Sequence, residues 1–288
     1  MDWRLVGERL IRSGELLLSL DFLEGYDYEL SLLNDGEVGR LFKITDRYIV
    51  FLAVVRFSMP YRQLEGFTRA LSRLIPRLIT IDYSWVRRRM LDLSPYESLS
   101  GYDGPVAIAV DSSGVSVHKC GGWVERIYGG RKRYVKIHFA VDVKIKEILA
   151  MDVTTNDIHD SEALPSLITN ASRHRLISEA YVDGAYDSIK SYRLLRRMGV
   201  KPIIKPRKNA RTDRGPPERR FSVITFKELG EKMWGRLMGY GGRWAAETAF
   251  STFKRLYGEH SMSKNMGTIT KELSAKAYIY NMLINLQS

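Results

Sequence analysis

The spacing of apolar residues along the chain changes near residue 100. Before it, the pattern is helical. DRYIVFLAVVRFSM is a strongly apolar segment, and YRQLEGFTRALSRLI places Leu64, Phe67, Leu71 and Leu74 at helical intervals. Pro60 and Pro76 bracket that second segment as helix boundaries. TIDYSWVRRRMLDL follows, with Asp82 or Ser84 as its N-cap. A helix, a short turn and a helix ending in Arg87, Arg88 and Arg89 match a helix-turn-helix-like DNA reader, and equally a plain helical bundle with a solvated basic face. The turn-rich SPYESLSGYDGP closes this region and sets a boundary, with residues 1–100 as a small all-α domain and 101–288 as a second domain.

Beyond the boundary the period becomes that of strands. VAIAVDSSG, YVKIHFAVDV and EILAMDVT are β-branched and aromatic runs, with Gly and charged turns between them, and read as an antiparallel meander. The helix DSEALPSLITNASRH, the strand EAYVDG, the helix DSIKSYRLLRRMG and the strand KPIIKP come next, so the later strands join the sheet in parallel. RKNARTDRGPPERR reads as a mobile basic loop, either tracking DNA or serving as a linker. Helices over about Phe226–Leu237, Arg243–Tyr257 and Thr268–Leu286 finish the chain. Three strands, helix, strand, helix, strand, loop and helix is the order of an RNase H-like α/β domain, a mixed five-stranded sheet with flanking helices.

Composition narrows the partner. The 288 residues hold 45 Lys and Arg against 33 Asp and Glu, a formal net charge of +12. A surplus of that size favours a polyanion, because neutralised phosphates release their counterions. No apolar run reaches the roughly 20 residues of a membrane span, and no secretory signal opens the chain. Cys120 is the single cysteine, which excludes an intrachain disulfide and a multi-cysteine zinc site, and a reducing cytoplasm fits.

Three acids fall at telling places in the predicted order. Asp111 closes the first apolar strand, Asp183 closes the fourth, and Glu247 lies on a late helix. Taken singly, the two Asp fit turns and Glu247 fits a solvated helix charge. Together they suit phosphodiester cleavage, in which two Mg²⁺ ions about 3.5–4 Å apart stabilise the attacking and leaving oxygens. Hard divalent cations take carboxylate oxygens, and no His or Cys nucleophile is needed.

Around Glu247 the chain reads YGGRWAAETAFSTFK, which sets Tyr240, Arg243, Glu247 and Lys254 in a Y-(2)-R-(3)-E-(6)-K spacing. That spacing resembles the signature of DDE transposases from prokaryotic insertion sequences. AVDSSGV and YVDGAYDS resemble the first-Asp and second-Asp motifs of the same group, TTNDIHDSEAL the segment before its first catalytic-domain helix, and YRQLEGFTRALSRL its N-terminal segment. The resemblance runs from about residue 60 to the end. It implies a transposase with Asp111, Asp183 and Glu247 as catalytic metal ligands. Two Mg²⁺ ions, with Mn²⁺ as substitute, would serve cleavage of the element's terminal repeats and strand transfer into target DNA. It also implies a homodimer on paired ends and a prokaryotic cytoplasmic protein associated with the nucleoid. The alternatives are an RNase H-like nuclease or resolvase that cuts without joining, and an inactive DNA-binding relative. The interval from Asp183 to Glu247 is short for the group and leaves no room for a large inserted β-domain.

Helical spacing puts Arg243, Glu247 and Lys254 on one stripe, with Tyr240 at or before the helix start. Both cations, and Tyr240 with them, are assigned to DNA; a routine Arg243–Glu247 ion pair is the plainer reading of the stripe. Asp160 or Ser161 is expected to cap the helix after NDIHDSEAL, in preference to a metal or supporting site formed with Asp157 and His159. Asp142 and Asp152 are expected on the exposed face of their strands. Trp123, Trp234 and Trp244 are expected in the core, with stacking on a flipped base as the rival for each.

Overall fold

The computed structural model describes residues 3–102, 104–117 and 134–286, so Cys120 and Trp123 lie outside the described residues. The chain divides into two compact units, Met1–Ser94 with Asn285–Ser288, and Pro95–Ile284.

The first unit holds α1 (Trp3–Glu15), α2 (Tyr26–Asn34), α3 (Asp46–Arg56), α4 (Tyr61–Leu74) and α5 (Tyr83–Met90). Thr45 caps α3 by accepting the Tyr48 N–H at 3.2 Å. Of the two candidate caps for α5, Asp82 is the one used, accepting the Ser84 N–H at 2.8 Å. The apolar run of α3 buries Tyr48, Ile49, Leu52, Ala53 and Val55, as a helix apolar on nearly every side must. Its Tyr48 ring stacks on Phe22 at 4.7 Å. The buried stripe of α4 includes Leu64 and Leu71; Leu74, expected on the same stripe, is the helix's last residue and 79% exposed. Eight residues, 75–82, join α4 to α5, more than the 3–4 of a helix-turn-helix connection. Of the three arginines on α5, Arg88 is exposed and Arg87 half-buried. Arg89 is turned inward, donating to the Ile44 carbonyl at 2.7 Å and pairing with Asp46.

The second unit runs β1 (Val106–Val117), β2 (Tyr134–Asp142), β3 (Ile148–Thr155), α6 (Asp160–His174), β4 (Ile177–Val182), α7 (Ile189–Arg197), β5 (Lys201–Ile204), α8 (Pro217–Leu237), α9 (Trp244–Tyr257), β6 (His260–Ser261) and α10 (Met266–Asn285). The sheet order is β3-β2-β1-β4-β5, with β2 antiparallel to β1 and β3, and β4 and β5 parallel to β1. This is the RNase H-like arrangement the element order predicts. A sixth, two-residue strand, β6, is added beside the far end of β1. Between β5 and α9 lie only a loop, α8 and a 3-10 turn, so no β-domain is inserted there. No helix among the described residues is long and apolar enough to cross a membrane.

One face of the sheet is packed by α6 through Leu164, Leu167, Ile168 and Ala171, against Ile108, Val110, Ala140, Ala180 and Val182. α9 covers the opposite face. Ala245, Ala246 and Ala249 are buried there and bring its backbone close, while Phe139 of β2 stacks on Phe250 at 4.5 Å and meets Phe253 edge-on at 5.2 Å. Each Phe buried this way contributes roughly 1.5–3 kcal/mol, which fixes the helix on its sheet.

Two boundaries differ from the sequence reading. β1 continues six residues past Asp111, so Asp111 lies within the strand and does not end it. α8 starts at Pro217, not near Phe226, and takes Arg219 and Arg220 out of the expected loop. Pro217 supplies a helix-ready φ at the first position, and Gly230 breaks the helix with φ 76°, which hides its period in the sequence.

Candidate active site

The register of β1 and β4 brings the first two acids together. Val110 pairs with Val182 in parallel, so the next residues, Asp111 and Asp183, stand side by side. Across the antiparallel ladder Asp111 lies opposite Phe139. Directly opposed residues share a face, and Phe139 is the residue that stacks on Phe250 of α9. Asp111 therefore faces α9, whose first turn carries Glu247.

Arg243 joins the three. Its guanidinium lies 3.5 Å from Asp111 Oδ2 and 3.6 Å from Asp183 Oδ1, and it pairs closely with Glu247. It reaches this place from the 3-10 turn Tyr240–Arg243 that leads into α9. The turn is held against β4 at two points. The Tyr240 hydroxyl donates to the carbonyl of Val182, the residue before Asp183, at 3.2 Å. Gly242 lies so close to the Tyr181 ring that a Cβ there would come within 2.8 Å of it. Tyr240 and Arg243, both expected on DNA, are thus engaged inside the protein, the first with a strand carbonyl and the second with the acids. The phenol is partly buried and close to a carbonyl, and the guanidinium is drawn in by three carboxylates.

The electrostatics follow from that crowding. Burial raises the Asp111 pKa above the usual carboxylate range; the Ser112 N–H at 2.9 Å and Arg243 oppose this, and Asp183 and Glu247 add to it. Burial works against charge on Arg243, and Asp111, Tyr240, Asp183 and Glu247 outweigh it and hold its pKa above the usual value. The Arg243 Nε is buried without a hydrogen-bond acceptor among the described residues. No three His, Cys, Asp or Glu groups among the described residues are spaced as a metal site.

Side chains alternate along β1, so Ser112 faces α6. Its hydroxyl donates to Asp160 at 2.8 Å, and Lys136 donates to the same carboxylate at 2.8 Å. The cap of α6 is neither of the two expected residues, Asp160 and Ser161. The capping position belongs to His159, which makes no side-chain cap, and Asp160 instead ties the helix to β1 and β2. Asp142 is also not on an exposed face: it is buried and accepts the N–H groups of Lys144 and Ile145 at 2.6 and 2.9 Å. Asp152 is half-buried.

His138, opposite Ser112, is fully buried between Thr154 Oγ1 at 2.8 Å and the Tyr186 hydroxyl at 3.2 Å. Burial holds its pKa below the ordinary value against the pull of Asp160 and Asp152. The unfolded chain takes up this proton near pH 6.5, and the folded chain only at lower pH. The stability His138 contributes is present above about pH 6.5 and is lost as the pH falls below it. Thermal melts between pH 7.5 and 5 are expected to show a steeper fall for the wild type than for His138→Gln; parallel curves would remove His138 from the effect.

Sequence reasoning missed the other half of the second-Asp motif. Asp187 is buried and accepts from Arg219 Nε at 2.8 Å and Arg219 Nη2 at 3.2 Å. Arg219 also donates to the carbonyls of Arg211 and Arg214 at 3.3 and 3.0 Å. Arg207 donates to the carbonyls of Gly184 and Ala185 at 3.0 and 2.9 Å. The basic segment is therefore fastened onto the residues just after Asp183, which corrects the expectation of a mobile loop. The signal in the sequence was a second Asp four residues after the first.

Trp234 is in the core as expected, donating to Ser222 Oγ at 3.1 Å. Trp244 is not: it is 68% exposed on the first turn of α9, beside Arg243. Lys254, on the third turn of α9, lies 3.3 Å from the exposed Glu259.

A mixed sheet with acids at the adjacent positions after Val110 and Val182, and a third acid delivered by a helix on the same face, defines an RNase H-like domain of the kind that acts on nucleic-acid phosphodiesters. A family model described as "Transposase DDE domain" matches residues 102–282. A second model of the same description matches residues 12–120. The chain belongs to the DDE transposase family, whose members act on DNA by phosphoryl transfer.

Proposed function

We propose that this chain cuts DNA at the ends of an insertion sequence and joins those ends to a target. Asp111, Asp183 and Glu247 would be its catalytic acids, within a catalytic domain preceded by the helical N-terminal domain. What carries the reading is the convergence of those three carboxylates on the single cation of Arg243.

The donor set fits Mg²⁺ or Mn²⁺, since all three groups are hard oxygen ligands and the one cation among them leaves two negative charges unmatched. A bound pair of such ions supplies activation of water and stabilisation of charge on the attacking and leaving oxygens. The chain's own residues do the rest. Asp111, fixed by the Ser112 N–H and by its strand, keeps one orientation. Asp183 and Glu247 are the more open pair, with side chains 36% and 38% exposed, and face incoming DNA. Arg243 leaves the acids for a DNA phosphate once they are otherwise neutralised, its forked donors suiting that group. Lys254 exchanges Glu259, an exposed and weak partner, for another phosphate. Tyr240 acts as a positioning residue that holds the Arg243 turn to β4. Trp244, exposed beside this path, is placed to stack on an unpaired base. In the N-terminal unit Arg88, with Arg87 behind it, carries the DNA contact, because Arg89 is engaged with Ile44 and Asp46. Joining two ends in one complex needs two protomers.

The test uses DNA fragments bearing the inverted repeats that flank the gene, with Mg²⁺ and a supercoiled plasmid. The expected result is cutting at the element ends followed by their insertion into the plasmid, by a species of dimer mass. Cutting without joining would assign a nuclease instead, and binding without cutting an inactive relative.

A further inference from the structure

Between Ile189 and Arg220 the chain holds twelve Lys and Arg against two Asp and Glu, a surplus of ten within a net charge of +12. The remainder of the sequence is close to neutral. The polyanion preference of the protein is therefore concentrated in α7, β5 and the segment leading into α8, and not spread over the surface.

This segment also builds a concavity. Arg193, Arg196 and Arg197 of α7, with Gly215 and Pro216 before α8, line a cavity of about 590 Å³. Arg193 is three and four residues from the other two, so the three guanidinium groups share one helix face. Like charges at that spacing disfavour a helix unless an anion meets them. Among the described residues only Arg196 of the three has a carboxylate, Glu218 at 3.6 Å, and both side chains of that pair are substantially exposed. Among the described residues Arg193 and Arg197 have none. The wall opposite is fixed in place, because Arg219 is locked to Asp187 and Arg207 to the carbonyls after Asp183. The basic face is thus a built surface, anchored to the segment that begins at the acid site.

We propose that α7 and the turn before α8 form a docking surface for the phosphate backbone of duplex DNA, read without regard to sequence, and that this duplex is the target into which ends are joined. The naming of the target rests on the function proposed above; the docking itself rests on the charge and the cavity. Backbone contacts position DNA and base contacts specify it, so a surface of guanidinium groups suits a partner accepted at many sequences. Forked guanidinium donors match phosphate oxygens. α7 buries Tyr192 and Leu195 and exposes no large apolar side chain, so it offers no apolar face for a lipid interface.

The test is the triple variant Arg193→Ala/Arg196→Ala/Arg197→Ala in the full chain, beside the triple Lys variant that keeps the charge. All three positions are exposed, and an unchanged thermal melt verifies the fold. Binding to a 30-bp duplex of arbitrary sequence is measured from 50 to 300 mM salt. The Ala variant is expected to bind at least about tenfold more weakly at low salt. Its log–log salt slope should be shallower by about 2–3, at roughly 0.9 for each phosphate the protein no longer neutralises. The Lys variant should keep most of the slope. Cutting at element ends should stay within about twofold, while joining of precut ends to a plasmid falls at least about tenfold. An unchanged slope and affinity overturn the docking surface. A reduced slope with normal joining overturns the assignment to target DNA. Loss of binding to phosphatidylserine vesicles with an unchanged DNA slope overturns it in favour of a membrane. If the wild type neither cuts nor joins, the proposed function fails, and the salt slope still decides the surface.

Discussion

Asp111→Asn, Asp183→Asn and Glu247→Gln are each expected to lower Mg²⁺-dependent cutting by about a thousandfold or more, which is about 4 kcal/mol of barrier, while DNA binding stays within a few-fold. Each substitution keeps the shape of the side chain and removes its charge. The three carboxylates share one cation and converge from β1, the end of β4 and α9, so none substitutes for another. The fold should survive. Burial already holds Asp111 above the ordinary carboxylate range, so its ionised form is a burden on the folded state at neutral pH and the amide removes that burden. The Asn variant should melt at the wild-type temperature or slightly above. Binding should persist because the acids repel phosphate and contribute nothing to affinity without a bridging cation. Cleavage assays on end-bearing fragments, paired with gel-shift titrations and melts, separate these effects. Near-normal cutting by any one variant would take that residue out of the site, and a collapse of binding in all three would make the acids structural.

The sheet was legible because its logic is local. Alternating and β-branched runs between turn residues gave β1 to β5, and Asp183 announced the crossover after β4. What hid the full length of β1 is long-range: the apolar run stops at Asp111, yet β2 pairs the residues beyond it, Ser112 to Ser116, and β6, far along the chain, pairs Ser116 and Val117. The start of α8 was hidden differently. Its first turn is charged and its middle is interrupted by Gly230, so neither composition nor period marked it.

The candidate site divides in the same way. Residue type and spacing pointed to the three acids and to Arg243, since few arrangements explain two strand-borne Asp and a Tyr-Arg-Glu-Lys spacing together. Type could not say what each cation or aromatic would touch. Arg89 and Tyr240 carry donors that serve a carbonyl as well as a phosphate, and the fold directed both inward. Trp244 has the composition of a core residue, but it begins its helix on the side away from the buried Ala245, Ala246 and Ala249 and so remains in solvent. Asp160 looked like a cap because it starts a helix; only the placement of Ser112 and Lys136 on neighbouring strands shows that its carboxylate is turned to the sheet.

The ion pair of Asp187 and Arg219 gives the largest expected effect on stability. Their side chains are 1% and 9% exposed. The carboxylate meets the guanidinium through both oxygens and also accepts the Arg207 N–H at 3.1 Å, while the remaining guanidinium nitrogen reaches two loop carbonyls. Both charges are fully partnered, so removing one leaves the other buried and unmatched, at a cost of about 3–5 kcal/mol. Arg219→Met or Asp187→Leu should therefore lower the melting temperature of the catalytic unit by roughly 6–20 °C, at about 2–4 °C per kcal/mol for a unit of its size. The double variant removes both charges together and should be less destabilised than the sum of the singles, with a coupling above about 1 kcal/mol in a double-mutant cycle. The pair also fastens the basic segment to the residues after Asp183, so either single variant should become sensitive to trypsin between Arg207 and Arg220 before the unit as a whole unfolds. Singles that cost under about 1 kcal/mol, or costs that simply add, would show that the pair is not what holds this segment, and the anchoring of the basic face to the acid site would have to come from Arg207 alone.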